Sequence, residues 1–228
     1  MVTRTHVVPT CVYCGEREGA TRDHVPPKGL FATPRPGLVT VPCCELCRKS
    51  QSLDDEYFVQ MISMRRGTTD NTSAIAARQA ALRSLTKPNK VGATRALLRS
   101  MKDLPVYSAS GIYLGHTMMY DVNLHRLDRV ITRTVIGLYF HEFKDRLPDG
   151  HRCKTYAIEG IESADPEVTS MLHRMWAHAV SGKRNDFGDG IFTYWVQRIN
   201  GPEAATLWAF VVYDCVPFMA FTGPLPTP

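Results

Sequence analysis

Four cysteines stand in two matched pairs, Cys11-x-x-Cys14 and Cys44-x-x-Cys47, with 29 residues between them. Two intervening residues form a tight turn, so each pair can bring two sulfurs to one ion. Together the pairs supply four thiolates at the corners of a closed tetrahedron, the donor set of a structural zinc site. Between them lies "TRDHVPPKGLF", in which Asp23 and His24 directly precede Val25 and two prolines. Proline lacks an N–H and fixes φ, so this stretch ends or edges a strand and is not helix interior. Beyond the second pair comes "SLDDEYF", with carboxylates at Asp54, Asp55 and Glu56. Seven cysteines are an odd number, and five fall within the first 47 residues. Such clustering points to metal ligands rather than a disulfide framework. Cys43 has no partner at ligand spacing and reads as a small buried apolar residue.

The elements that must position these residues can be read in outline. Residues 1–64 form the cysteine-rich head. Its helix is predicted over "SLDDEYFVQMISM", with Ser52 as N-cap and Asp54, Asp55 and Glu56 in its first turns, where the helix dipole favours carboxylates. Residues 65–104 form a basic helical connector. The span 65–102 holds nine Lys or Arg and one acid, Asp70. One helix follows Thr72-Ser73, another runs from about Ala93 to Met101, and Pro88 separates them. Residues 105–228 read as an α+β domain with a mostly antiparallel sheet. Strands are predicted at "HTMMYDV", "KTYAIEGI", "GIFTYWVQRI" and within "ATLWAFVVYDCVPFMAFTG", with a Gly-Pro turn at Gly201-Pro202. Helices are predicted over "LDRVITRTVIGLYFHEF", where apolar residues fall at 131, 135 and 138, and over "DPEVTSMLHRMWAHAV", which opens on a proline. The last residues, "GPLPTP", read as a loose tail.

The 228 residues carry a net charge of +5, which permits a polyanionic partner. The N-terminus has no apolar signal core, and the longest apolar run, "LWAFVVYDCVPFMAF", is broken by Asp214 and Pro217. The expectation is a cytoplasmic protein with no membrane span.

With both knuckles placed, "CVYCG…TRDHVPPKGLF…VPCCELC…SLDDEYF" resembles the zinc-bound branch of the HNH endonucleases, members of the ββα-metal superfamily. The match covers residues 9 to 60. It implies a small zinc-stapled ββα-metal unit at the N-terminus and hydrolysis of DNA phosphodiester bonds. His24 would be the general base that activates water, and Asp23 would hold a catalytic Mg²⁺ or Mn²⁺. Cys11, Cys14, Cys44 and Cys47 would hold the structural Zn²⁺. The chemistry is coherent: a neutral imidazole is a suitable base near pH 7, and a carboxylate is a hard ligand suited to those cations. Adjacent strand residues point to opposite faces, and a distorted strand end near Pro26-Pro27 could let Asp23 and His24 both reach one site.

Two positions depart from the family's pattern. Arg48 stands after the second knuckle, where the pattern has Asn or His. The middle Asn is absent, and "GLVTVPC" offers only Thr40. Asp55, two helical turns beyond Arg48, is the candidate replacement ligand. Lys28, Arg48, Arg65 and Arg66 are candidate phosphate contacts. DNA is the implied partner, with a homodimer or a regulatory protein left open; no coiled-coil heptad or apolar patch is visible along the chain. The alternative function is a zinc module whose catalytic site has decayed and which binds DNA or protein.

Overall fold

The computed structural model describes residues 9–35, 37–157, 165–199 and 204–224. The fold is α+β. A short antiparallel pair, β1 (Thr21–Val25) and β2 (Val39–Cys43), leads into the long helix α1 (Glu45–Ser63). Then come α2 (Thr72–Leu85), α3 (Val91–Ser100) and a hairpin of β3 (Lys102–Tyr107) and β4 (Tyr113–Met119). The helix α4 (Leu124–Phe143) follows. Last come β5 (His151–Ala157), α5 (Pro166–Val180) and four strands, β6 (Lys183–Phe187), β7 (Phe192–Arg198), β8 (Thr206–Val212) and β9 (Val216–Pro224).

The last five strands make one antiparallel sheet in the order β5-β9-β8-β7-β6. Strand alternation divides its side chains between two helices. Trp208, Phe210 and Val212 of β8 face the core that contains α4, whereas Leu207 and Ala209 face Leu172 and Ala179 of α5. A strand covered on both faces reads as a continuous apolar run, which is why "LWAFVV" shows no alternation.

α4 is the hub. Val130, Ile131, Val135 and Leu138 share one core with Val25 and Val41 of the first hairpin, Phe58 and Ile62 of α1, and Trp208, Phe210 and Phe218 of the sheet. Gly137 permits this approach. A Cβ added there would meet Val25 Cγ2 at 2.5 Å, so any larger residue would push α4 off β1.

The helix of the cysteine-rich head differs from the expectation. α1 starts at Glu45, not Ser52, because Cys44 is its N-cap: the Sγ accepts from the Cys47 N–H. Ser52 lies mid-helix, its hydroxyl donating to the Lys49 carbonyl. Leu46 and Leu53 are exposed, so the first turns carry no apolar stripe to signal the helix. Asn71 and Asp165 cap α2 and α5, close to the expected starts. The strands β3 and β6 go unannounced in the sequence; β6, "KRNDF", is a polar edge strand. Positions 158–161 of the expected "KTYAIEGI" strand, the Gly201-Pro202 turn and residues 225–228 of the expected loose tail lie outside the described residues. Gly223 and Pro224 of that tail belong to β9. Among the described residues, no helix is long and apolar enough to cross a membrane.

Candidate functional site

The two knuckles converge. The Gly15 N–H donates to the Cys11 carbonyl and closes the first turn, with Gly15 in the left-handed region at φ 69°. The second turn is the start of α1. The sulfurs of Cys11, Cys14, Cys44 and Cys47 all lie within 4.8 Å of one another, and Cys14 and Cys44 stand 4.0 Å apart. A tetrahedral ion with bonds of about 2.3 Å requires sulfurs about 3.8 Å apart, so the four thiols fit a metal of zinc's size. The backbone N–H groups of Glu16 and Arg17 hold the Cys14 thiol down to about 6, whereas burial and the Cys44 sulfur push the Cys47 thiol well up, so an ion bound here would have to displace the Cys47 proton. Cys43 stays out of this set. It is buried, donates to the Cys44 carbonyl, and is pushed up to about 12 by burial. Among the described residues, no other three His, Cys, Asp or Glu side chains meet at ion-binding distance.

Asp23 and Asp55 also come together, but around a protein cation. Arg133 of α4 is 6% exposed and lies between them. Its Nε and Nη2 donate to Asp23 Oδ2 at 2.9 and 2.7 Å, and its Nη1 and Nη2 fork onto the Asp55 carboxylate at 3.0 Å each. The Tyr13 hydroxyl donates to Asp23 Oδ2 at 2.6 Å, and its ring lies 5.6 Å from the guanidinium carbon. Burial raises the Asp55 carboxyl to about 6, aided by Asp23 and Asp54 and opposed by Arg133. Burial alone would lower the Arg133 pKa, but Asp55 and Asp23 carry it above the usual guanidinium value.

The remaining carboxylates of the run are paired as well. Asp54 accepts from Arg126 at 2.6 Å and from Arg129 at 2.7 Å, which holds it below the usual carboxylate range. Glu56 accepts from Ser84 of α2 and from Lys90. Sequence reasoning missed Arg126, Arg129 and Arg133. Their spacing of three and four within an apolar helix is a readable signal, because arginines on one helix face that meets the core require carboxylate partners.

His24 is not part of this cluster. β1 pairs with β2 in unbroken register through Asp23↔Val41, His24↔Thr40 and Val25↔Val39. Along β1 burial alternates, with Asp23 and Val25 buried and His24 half-buried, so Asp23 turns inward and His24 lies on the outer face. Burial, with Lys28 and Arg35 nearby, keeps the His24 pKa below its ordinary value against the pull of Asp23. That face is cationic: Arg22 donates to Thr40, and Arg35 donates to the Lys28 carbonyl. Lys28 and Arg35 also line a cleft of about 370 Å³ that reaches Asp55 and Glu56 and is floored by Ala77 and Ala81 of α2. Arg48 forks onto Glu45 at the surface. Arg65 and Arg66 lie past the other end of α1, roughly 25 Å from Arg48 along the helix, beside a second cleft.

Comparison of the chain with protein-family models, with curated proteins and with solved structures gives no match.

Proposed function

We propose that this chain is a zinc-stapled module of the HNH type that binds nucleic acid without hydrolysing it. The observation that carries this reading is the Arg133 guanidinium, seated between Asp23 and Asp55 where a shared divalent cation would have to lie. A guanidinium neutralises both carboxylates, yet it offers no coordination position for water or a phosphoryl oxygen. Arg48 at the second ligand position and Thr40 in place of the middle Asn point the same way. Zinc held by Cys11, Cys14, Cys44 and Cys47 would have no open position; it would contribute folding energy and no chemistry. Nucleic acid is supported by the net charge of +5, by the cationic face of Arg22, Lys28 and Arg35, and by the cations of residues 65–102 other than Lys90, which Glu56 holds.

A second reading, a Mg²⁺- or Mn²⁺-dependent nuclease with His24 as general base, is favoured by one observation. His24 has a lowered pKa and stands beside Lys28 and Arg35, as a base acting on a phosphate would. One experiment separates the two. Zinc-loaded protein is incubated with supercoiled plasmid and Mg²⁺ or Mn²⁺, and its binding to labelled DNA and RNA is followed by anisotropy over a salt series. The binding reading expects complexes that weaken linearly in log affinity against log salt, with no cleavage. Metal-dependent nicking that disappears in His24→Ala would overturn it in favour of the nuclease.

A further inference from the structure

The cleft lined by Lys28 and Arg35 has walls from the loop after β1, from α1 and from α2. Its volume of about 370 Å³ lies at the small end of the roughly 300–1,000 Å³ of small-molecule sites. Gly29 seats the loop against α1: a Cβ added there would meet Val59 Cγ2, in the wall of the cleft, at 3.1 Å.

The charges of the cleft do not balance. Asp55 is neutralised by Arg133, and Glu56 by Lys90. Lys28 and Arg35 meet no carboxylate among the described residues. The Arg35 Nε donates to the Lys28 carbonyl, which holds the guanidinium by the loop and leaves its Nη groups to donate elsewhere. The loop thus offers two uncompensated positive charges. They match a phosphate monoester, which carries about −1.5 to −2 at neutral pH.

The remaining walls are of another kind. Val59, Ala77 and Ala81 are buried and form an apolar floor. Beside it, the Asp55 carboxylate accepts the fork of Arg133, and Glu56 accepts from Ser84 and Lys90. An ionised carboxylate has about four lone-pair sites, so each keeps acceptor capacity for a ligand. A sugar phosphate has no flat apolar face to lay on such a floor. A nucleobase has one, and guanine adds a row of donors, its N1–H and amino group, for a carboxylate to accept.

We propose that this cleft binds a nucleoside monophosphate, guanine by preference, with its phosphate on Lys28 and Arg35, its base on the apolar floor and its N–H edge toward Asp55 or Glu56. This deepens the nucleic-acid reading and rests on it for the source of the ligand: the nucleotide is an unpaired unit of a strand or a free molecule. A base inside a duplex cannot enter, because its edge is paired and its faces are stacked.

The test is titration calorimetry of the full zinc-loaded chain with 5′-GMP, guanosine and inorganic phosphate. GMP should bind once per chain, and guanosine and phosphate should each bind more weakly by roughly tenfold or more, because each meets only part of the site. Ala80→Leu, at an exposed position of α2 on the cleft, should weaken GMP by a similar factor at unchanged circular dichroism. Lys28→Ala with Arg35→Ala should bring GMP down to the affinity of guanosine. Absence of GMP binding in the wild type overturns the proposal, as does phosphate binding as tight as GMP or a GMP affinity that neither variant moves. Should Ala80→Leu misfold, the double variant decides, since both of its side chains are exposed. A guanine-containing single-stranded oligonucleotide assigns the source. Displacement of GMP by the strand supports the unpaired unit. GMP bound by a chain that engages no strand or duplex supports the free nucleotide and sinks the nucleic-acid reading instead. Strand binding without a GMP site overturns the cleft and leaves that reading standing.

Discussion

Arg133 is a buried cation whose loss would strand two carboxylates. We predict that Arg133→Leu destabilises the protein by about 3–5 kcal/mol, read from the urea midpoint, because Asp23 and Asp55 would be left without their cation. Arg133→Ala opens the cradle, and Mn²⁺ should then raise the melting temperature of that variant while leaving the wild type unmoved. If Mn²⁺ stabilises the wild type by the same amount, Arg133 does not stand in for a metal. Asp54 supplies a pH dependence. Its pKa is held low by Arg129 and Arg126, so the stability it contributes is fully present above its unfolded pKa of about 3.9 and is lost as pH falls through the lower folded value. Asp55, raised to about 6, acts with the opposite sign: the folded state holds its proton more tightly, so stability falls as pH rises from about 4 to 6. Urea midpoints against pH should therefore lose part of their acid limb in Asp54→Asn. An unchanged acid limb would show that the Asp54 pairs carry no net stability.

At the scale of elements, the four-cysteine site and α1 are one unit, because Cys44 is both a candidate metal ligand and the helix N-cap. A chelator strong enough to strip zinc should cause loss of helix signal together with release of titratable thiols, and Cys14→Ser should show both before chelation. Retained helix content after complete metal removal would mean that the site does not hold α1. The seam between α4 and β1 is as tight. Gly137→Leu should cost about 1–3 kcal/mol or more by overpacking, measured by urea unfolding, since the added side chain meets Val25. The two cysteine turns were legible in the sequence because a turn of two residues needs only local chemistry. The true start of α1 was not, because its signals are a sulfur cap and an Arg48–Glu45 pair on an exposed face rather than an apolar stripe.

For the whole molecule, the prediction follows from one core that runs from Val12 to Ala220 through α4. Thermal unfolding should show a single transition, and residues 1–64 alone should lack stable structure even with zinc, since they would expose Val25, Phe58 and Ile62 and lose Arg133. Two well-separated transitions would show that the head is independent. The sequence by itself determined the features that arise within a few residues: the paired cysteines, the helical stripe of α4, the apolar strands β7 to β9 and the positive charge. Only the tertiary structure decided what lies between Asp23 and Asp55, because Arg133 is 110 residues from Asp23 and meets it through packing rather than local spacing. It also decided that His24 faces away from Asp23, since burial alternates along β1 where it pairs with β2. And it decided that the apolar residues of β4 stay uncovered, because hydrophobic patterning names the residues that seek burial but not whether the chain supplies a surface to bury them.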